Sequence, residues 1–287
     1  MDLRSRAAII VVAALFVFAR RETADAPPPW SRTSSKLETL AERVSPPPGG
    51  RRTTVPPGSF AAWLRRLPLR PLGTTVRLFD GREKSAQGVV YAVVDLDIGT
   101  RDLQQCADAV MRLRAEYLWA RGCAGRVSFD FTDGSPARWI EWRSGRRPVV
   151  AGGRVSWRQR APMDSSYAAF RDYLNSVFTF AGSRSLARQL VLVRDPAQVE
   201  PGDVFIHGGS PGHAVLVVDV ATDAQGGRMF MLAQSYMPAQ DIHVLLNPEL
   251  GNTPWYPALA AGLLRTPEWD FDYRELRRFP GGDCSGP

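Results

Sequence analysis

The sequence predicts a single α+β domain, and three observations carry the prediction. Residues 101–122 hold one long helical periodicity with a start and a stop signal. Residues 201–245 hold short β-rich apolar runs divided by turn residues, as neighbouring antiparallel strands do. The chain has 287 residues, 44% apolar and 23% charged, which suits a globular body with its own core. No internal repeat and no coiled-coil heptad competes with this reading.

The N-terminus comes first. "MDLRSR" is basic, and "AAIIVVAALFVFA", residues 7–19, is apolar. A membrane span needs about 20 such residues, so this shorter run suits a signal-peptide core, with "ADA" at 24–26 for cleavage. Arg20, Arg21 and Pro27 leave an uncleaved anchor open. Residues 1–26 are therefore read as a signal peptide or N-terminal membrane anchor, and the body as exported, periplasmic or in the cell envelope. Residues 27–58, with "APPPW", "SPPPGG" and "VPPG", read as a Pro-rich linker, extended or disordered. Residues 59–287 are the domain.

In "SFAAWLRRLPL", Ser59 caps a short helix that ends at Pro68. "GVVYAVVDLDIG", 88–99, is a candidate buried strand. In "RDLQQCADAVMRLRAEYLWARG", Asp102 caps the long helix, Gln105 completes a capping box, and Gly122 stops it. Leu103, Cys106, Val110, Leu113 and Tyr117 make one apolar stripe. Residues 127–160 read as a small antiparallel meander, whose Trp139, Trp142 and Trp157 make either core or a binding face. "SSYAAFRDYLNSVFTFAG" and "SRSLARQLVLV" read as helices, the second capped by Ser183 or Ser185. "PGDVFIHGGSPGHAVLVVDV", 201–220, supplies two strands. "GRMFMLAQSY" is their hairpin partner, "QDIHVLLN" a further strand, and "TPEWDFDYRELRRF" a terminal helix or irregular segment.

Net charge is +7, carried almost wholly by arginine, since Lys36 and Lys84 are the two lysines. The charge is spread along the chain, without a basic run or a nucleic-acid motif, and reads as a solvated surface. Three cysteines are present: Cys106, Cys123 and Cys284. Cys106 and Cys123 flank the long helix, roughly 20 Å apart, beyond disulfide reach. Cys123 with Cys284 is conceivable, which leaves Cys106 as the candidate free thiol, unless all three stay reduced.

Cys106 in the first turns of a helix meets one need of a cysteine hydrolase. There the dipole and unpaired N–H groups favour a thiolate and should lower its pKa. His213, opening a strand behind Gly208, Gly209 and Gly212, is the natural base. Gln234 breaks an otherwise apolar strand and can orient the imidazole. Gln105 (or Gln104) and the backbone near Cys106 can serve an oxyanion, and Gly212 lets a substrate approach closely.

The order of a helix-start cysteine, a "PGD" turn, a strand, Gly-x-His and a further strand with "LAQ" resembles the papain-like wall hydrolases called NlpC/P60 and CHAP. This resemblance implies a papain-like antiparallel sheet packed against the helix bearing Cys106. It also implies hydrolysis of peptidoglycan or a related amide through a Cys106 thioester. Cysteine and histidine stand 107 residues apart, which makes residues 127–192 an inserted meander with helices. A longer resemblance is to the bacterial family called domain of unknown function 4846. It rests on "DLQQCADAVMRLRAEYL", "PGDVFIHGGSPGHAVLVVDVA", "LAQSYMPAQDIHVL", "NTPWY" and "LRTPEW", spanning about Ser59 to Phe279. It implies an exported, often membrane-attached protein and no particular activity.

The expected partner is a cell-wall peptide or other envelope ligand, with possible membrane attachment by the N-terminal segment; no cofactor and no nucleic acid are implied. Two alternatives stay open. One is a non-catalytic envelope binding module on the same scaffold, with Cys106 a small buried residue and His213 bonded to its own loop. The other is a metal site of His207, His213 and His243. Hairpin register decides whether Gln234 shares a face with His213.

Overall fold

The computed structural model describes residues 28–33 and 37–284. The segment read as a signal peptide or anchor lies outside the described residues. Among those described there are six α-helices: α1 (Leu40–Arg43), α2 (Phe60–Arg65), α3 (Cys106–Ala120), α4 (Trp139–Arg143), α5 (Tyr167–Phe180) and α6 (Ser183–Gln189). The strands before the "PGD" turn are β1 (Arg51–Arg52), β2 (Val90–Val93), β3 (Ser128–Asp130), β4 (Pro136–Arg138), β5 (Arg146–Ala151), β6 (Arg154–Gln159) and β7 (Val191–Leu192). After it come β8 (Val204–His207), β9 (His213–Thr222), β10 (Arg228–Gln234), β11 (His243–Leu245), β12 (Trp255–Pro257), β13 (Leu263–Arg265), β14 (Asp270–Asp272) and β15 (Leu276–Arg278).

The expected α+β class is present. Nine strands form one antiparallel sheet in the order β2-β11-β10-β9-β8-β15-β7, with β1 also on β9 and β12 also on β10. Strand β9 is central and buried on both faces, which is why its sequence is a continuous apolar run. Ala214, Leu216 and Val218 join the large core that holds α3. Val215, Val217 and Val220 join a second core with Phe205, Phe230 and Phe271. The pairing slips between Met231 and Leu232, which face Asp219 and Val217, so Val218 is an extra residue. This is a β-bulge.

Helix α3 starts at its cysteine, not near Asp102. Asp102 is taken up by tertiary contacts: its Oδ1 accepts from the Ala239 N–H at 2.7 Å and from Gln105 Nε2 at 2.9 Å. The expected single stripe is also too narrow, because every residue of α3 from Cys106 to Leu118 is buried. Two of its charged residues, Arg112 and Glu116, are accommodated by pairing. Arg112 Nε donates to Glu116 Oε1 at 2.6 Å, Nη2 to Asp97 Oδ2 at 2.9 Å, and Nη1 to Gln104 Oε1 at 2.8 Å.

The stretch 127–160 is not one meander. It is a β3–β4 hairpin, helix α4 from "WIEWR", and a β5–β6 hairpin. Gly152 and Gly153 turn the second hairpin with positive φ of 57° and 73°, as a tight two-residue turn demands. Trp139 is core: its ring is 5.2 Å from Phe170, which stacks on Trp119 at 4.5 Å. Ser166 caps α5 through the Ala169 N–H. Helix α6 starts after Gly182, one residue ahead of Ser183 and three ahead of Ser185, the expected caps, with Ser185 Oγ accepting from the Gly182 N–H. "RELRRF" supplies strand β15, where a helix or irregular end was expected, and it fits between β8 and β7.

The Pro-rich stretch is packed where a linker was expected. Trp30, Leu40 and Val44 are buried in the main core, and β1 extends the sheet. Ser59 does cap α2, accepting from the Ala62 N–H at 3.1 Å. Cys123 and Cys284 form a disulfide across 161 residues. Closing a loop of that length removes on the order of 5 kcal/mol of unfolded-chain entropy. Cys106 is the free thiol, and it is buried.

Candidate functional site

The site lies at the end of the sheet where β8 turns into β9. His207 and His213 face each other across that turn. The glycines between them serve packing. A Cβ on Gly208 would sit 2.7 Å from Ala187 Cβ, and one on Gly212 would sit 2.4 Å from Ser183 Oγ. Gly212 therefore does not open space for a substrate; Ser183 and Gly209 already fill it. Asp203 of the "PGD" turn is structural too. It takes two hydrogen bonds from Arg278, at 2.6 and 2.9 Å, and one from the Glu200 N–H.

His213 and Gln234 come together as expected. Both are 1% exposed, and His213 Nε2 lies 2.8 Å from Gln234 Oε1. The bulge makes this possible. Regular pairing from Asp219 onward would turn His213 to the α3 side. The extra residue returns it to the face of Gln234. There its ring stacks on Phe271 and lies 5.6 Å from Trp269.

Cys106 is the first residue of α3 and 7% exposed. Backbone N–H groups of Ala107, Ala214 and Cys106 itself lie close enough to its sulfur to favour a thiolate. Ala214 is the residue after His213, so the thiol is seated at the mouth of β9. Tyr236 adjoins both groups: its ring is 4.9 Å from the imidazole, and the sulfur lies within its electrostatic reach. Among the described residues no hydrogen bond joins thiol to imidazole.

The expected low thiol pKa is not what the structure provides. Burial pushes the Cys106 thiol up to about 11, and the nearby Asp108 carboxylate pushes the same way. The N–H groups at the helix start oppose this without overcoming it, because a thiolate shut away from water is costly. Burial also pulls His213 down to about 4, against the hydrogen bond it makes to Gln234 Oε1. At rest both the thiol and the imidazole are neutral.

Gln105 is not an oxyanion donor here, since its amide N–H is committed to Asp102. Gln104 is buried, its Oε1 accepts from Arg112, and its Nε2 has no partner. The histidines do not converge on a metal site. His207 is half-exposed and turned to Glu275 at 2.7 Å, and Gln234 stands between His213 and His243. Among the described residues no group of three or more His, Cys, Asp or Glu side chains is placed to hold a metal ion.

Three further neighbours complete the cluster. Gln234 Nε2 donates to Glu268 Oε2 at 2.6 Å and lies 3.5 Å from His243 Nε2. Glu268 pairs with Lys84, whose ammonium lies 5.4 Å from the Tyr236 ring centre. Sequence reasoning missed Lys84 and Glu268. A signal did exist: Lys84 is one of two lysines in an arginine-rich chain, and Glu268 stands in the distinctive "TPEW".

These features define a class: an α+β protein with a buried Cys–His–Gln cluster where a helix start meets an antiparallel sheet. The chain belongs to the family described as a domain of unknown function (4846), whose pattern matches residues 40–278. Neither a curated protein nor a solved structure matches the chain.

Proposed function

We propose that the protein is an exported cell-envelope cysteine hydrolase of papain-like design, an amidase or peptidase acting on peptidoglycan or a related amide. One observation carries this: the sulfur of a helix-start cysteine lies near the N–H of Ala214, the residue after His213, whose imidazole Nε2 is held by a glutamine. In the reaction, His213 Nδ1 takes the Cys106 thiol proton as sulfur attacks the amide carbon. The proton passes to the leaving nitrogen, the C–N bond breaks, and a thioester remains. Water, deprotonated by His213, then releases the acid and restores the thiol. Backbone N–H groups at the start of α3 stabilise the oxyanion. The neutral resting pair makes His213 a general base rather than half of a standing ion pair.

Export is supported by the apolar run at 7–19 and by the Cys123–Cys284 disulfide, since disulfides persist in oxidising compartments. The N-terminal segment either is removed or attaches the protein to the inner membrane. Among the described residues no helix is long and apolar enough to cross a membrane. The burial and raised pKa of Cys106 favour a second reading, a non-catalytic module that binds a wall peptide or another envelope ligand.

Alkylation separates the two. Iodoacetamide should modify Cys106 of the native protein at neutral pH, and His213→Ala should slow it about tenfold or more. Equal rates in parent and variant would sink the hydrolase reading. Amines newly released from purified peptidoglycan, absent with Cys106→Ala, would identify the substrate class.

A further inference from the structure

The atoms around Gln234 determine where each proton sits. Lys84 holds Glu268 as a carboxylate, which can only accept hydrogen bonds. The Gln234 atom 2.6 Å from Glu268 must therefore be the amide nitrogen. That turns the amide oxygen toward His213. An amide oxygen only accepts, so His213 Nε2 carries the hydrogen and Nδ1 keeps the lone pair. His243 gives an independent check. Its Nδ1 faces the Asp241 carbonyl at 2.9 Å and must donate, which leaves its Nε2 as an acceptor. The second Gln234 amide hydrogen faces that acceptor. Every assignment agrees, and two neighbouring histidines hold opposite tautomers.

We propose that Glu268, held by Lys84, is a positioning residue that fixes the Gln234 amide and so leaves His213 Nδ1 as the basic atom. The use of that atom toward Cys106 rests on the hydrolase reading; the tautomer does not. A purely structural Glu268–Lys84 pair would be indifferent to which way the amide faces. Here the pair and His243 grip both amide hydrogens, and Gln234 is buried.

The test labels histidine with nitrogen-15 in the full chain and reads both ring nitrogens at neutral pH, identifying His213 by signals lost in His213→Asn. The parent should carry the His213 proton on Nε2. Glu268→Gln keeps an acceptor oxygen and should keep that form. Glu268→Leu should shift His213 to a mixed or Nδ1-protonated form and slow Cys106 alkylation about tenfold or more. If Glu268→Leu does not fold, the double variant Glu268→Leu with Lys84→Leu leaves no unpaired charge and carries the same expectation. A parent already protonated on Nδ1, or a Leu variant that retains Nε2–H, overturns the proposal. A tautomer that shifts while alkylation stays constant upholds the positioning role and defeats the hydrolase reading.

Discussion

Two of the polar systems buried in this molecule are built on opposite principles. Around Arg112 every charge meets an opposite one: Glu116 at 2.6 Å and Asp97 at 2.9 Å, with Arg171 on the other oxygen of Asp97 at 3.0 Å. Around His213 the central groups are neutral and joined through a glutamine, with the one ion pair, Lys84–Glu268, set at the outside. Paired charges cannot gain or lose a proton without a large penalty. The first system fixes the helix with paired charges, and the second keeps its central groups neutral.

The largest expected effect tests the ionic side. Arg112→Met should lower unfolding free energy in urea by about 3–5 kcal/mol, because it strands the buried Glu116 carboxylate. A loss below about 1 kcal/mol would erase the contrast. Acid tests the neutral side. His213 and His243 are both pulled by burial to about 4 in the folded state, from an ordinary value of 6.5. The unfolded chain then binds more protons between those values, so stability is full above pH 6.5 and falls as pH drops toward 4. The total loss across that window should amount to about 3 kcal/mol per histidine and should shrink in His243→Gln. The smallest effect concerns Gln105. Gln105→Ala should change stability by less than about 0.5 kcal/mol and leave Cys106 alkylation unchanged, since its amide serves only an exposed turn. A marked loss of alkylation would return Gln105 to the reacting centre.

Legibility followed the range of the cause. Helix α3 and strands β8 to β11 were readable because each is written in a contiguous period. The start of α3 was misplaced because Asp102 answers to Ala239, a contact 137 residues away. Strand β15 was unreadable because "LRR" becomes a strand only between β8 and β7. Cys106, His213 and Gln234 stood out by type and position. What brings Gln234 onto the face of His213 and fixes its amide, one extra residue in β9 and a glutamate 34 residues beyond Gln234, is set by distant pairing that no single stretch spells out.

The place of β15 in the sheet sets an order of assembly. Residues 276–278 fill the gap between residues 204–207 and 191–192. Until they arrive, two strand edges stand open and the sheet is incomplete. The body can thus close only after nearly all of the chain has been synthesised, and its many distant pairings predict slow folding. A chain cut just before Leu276 would expose those edges to other copies of itself, and it should aggregate rather than fold.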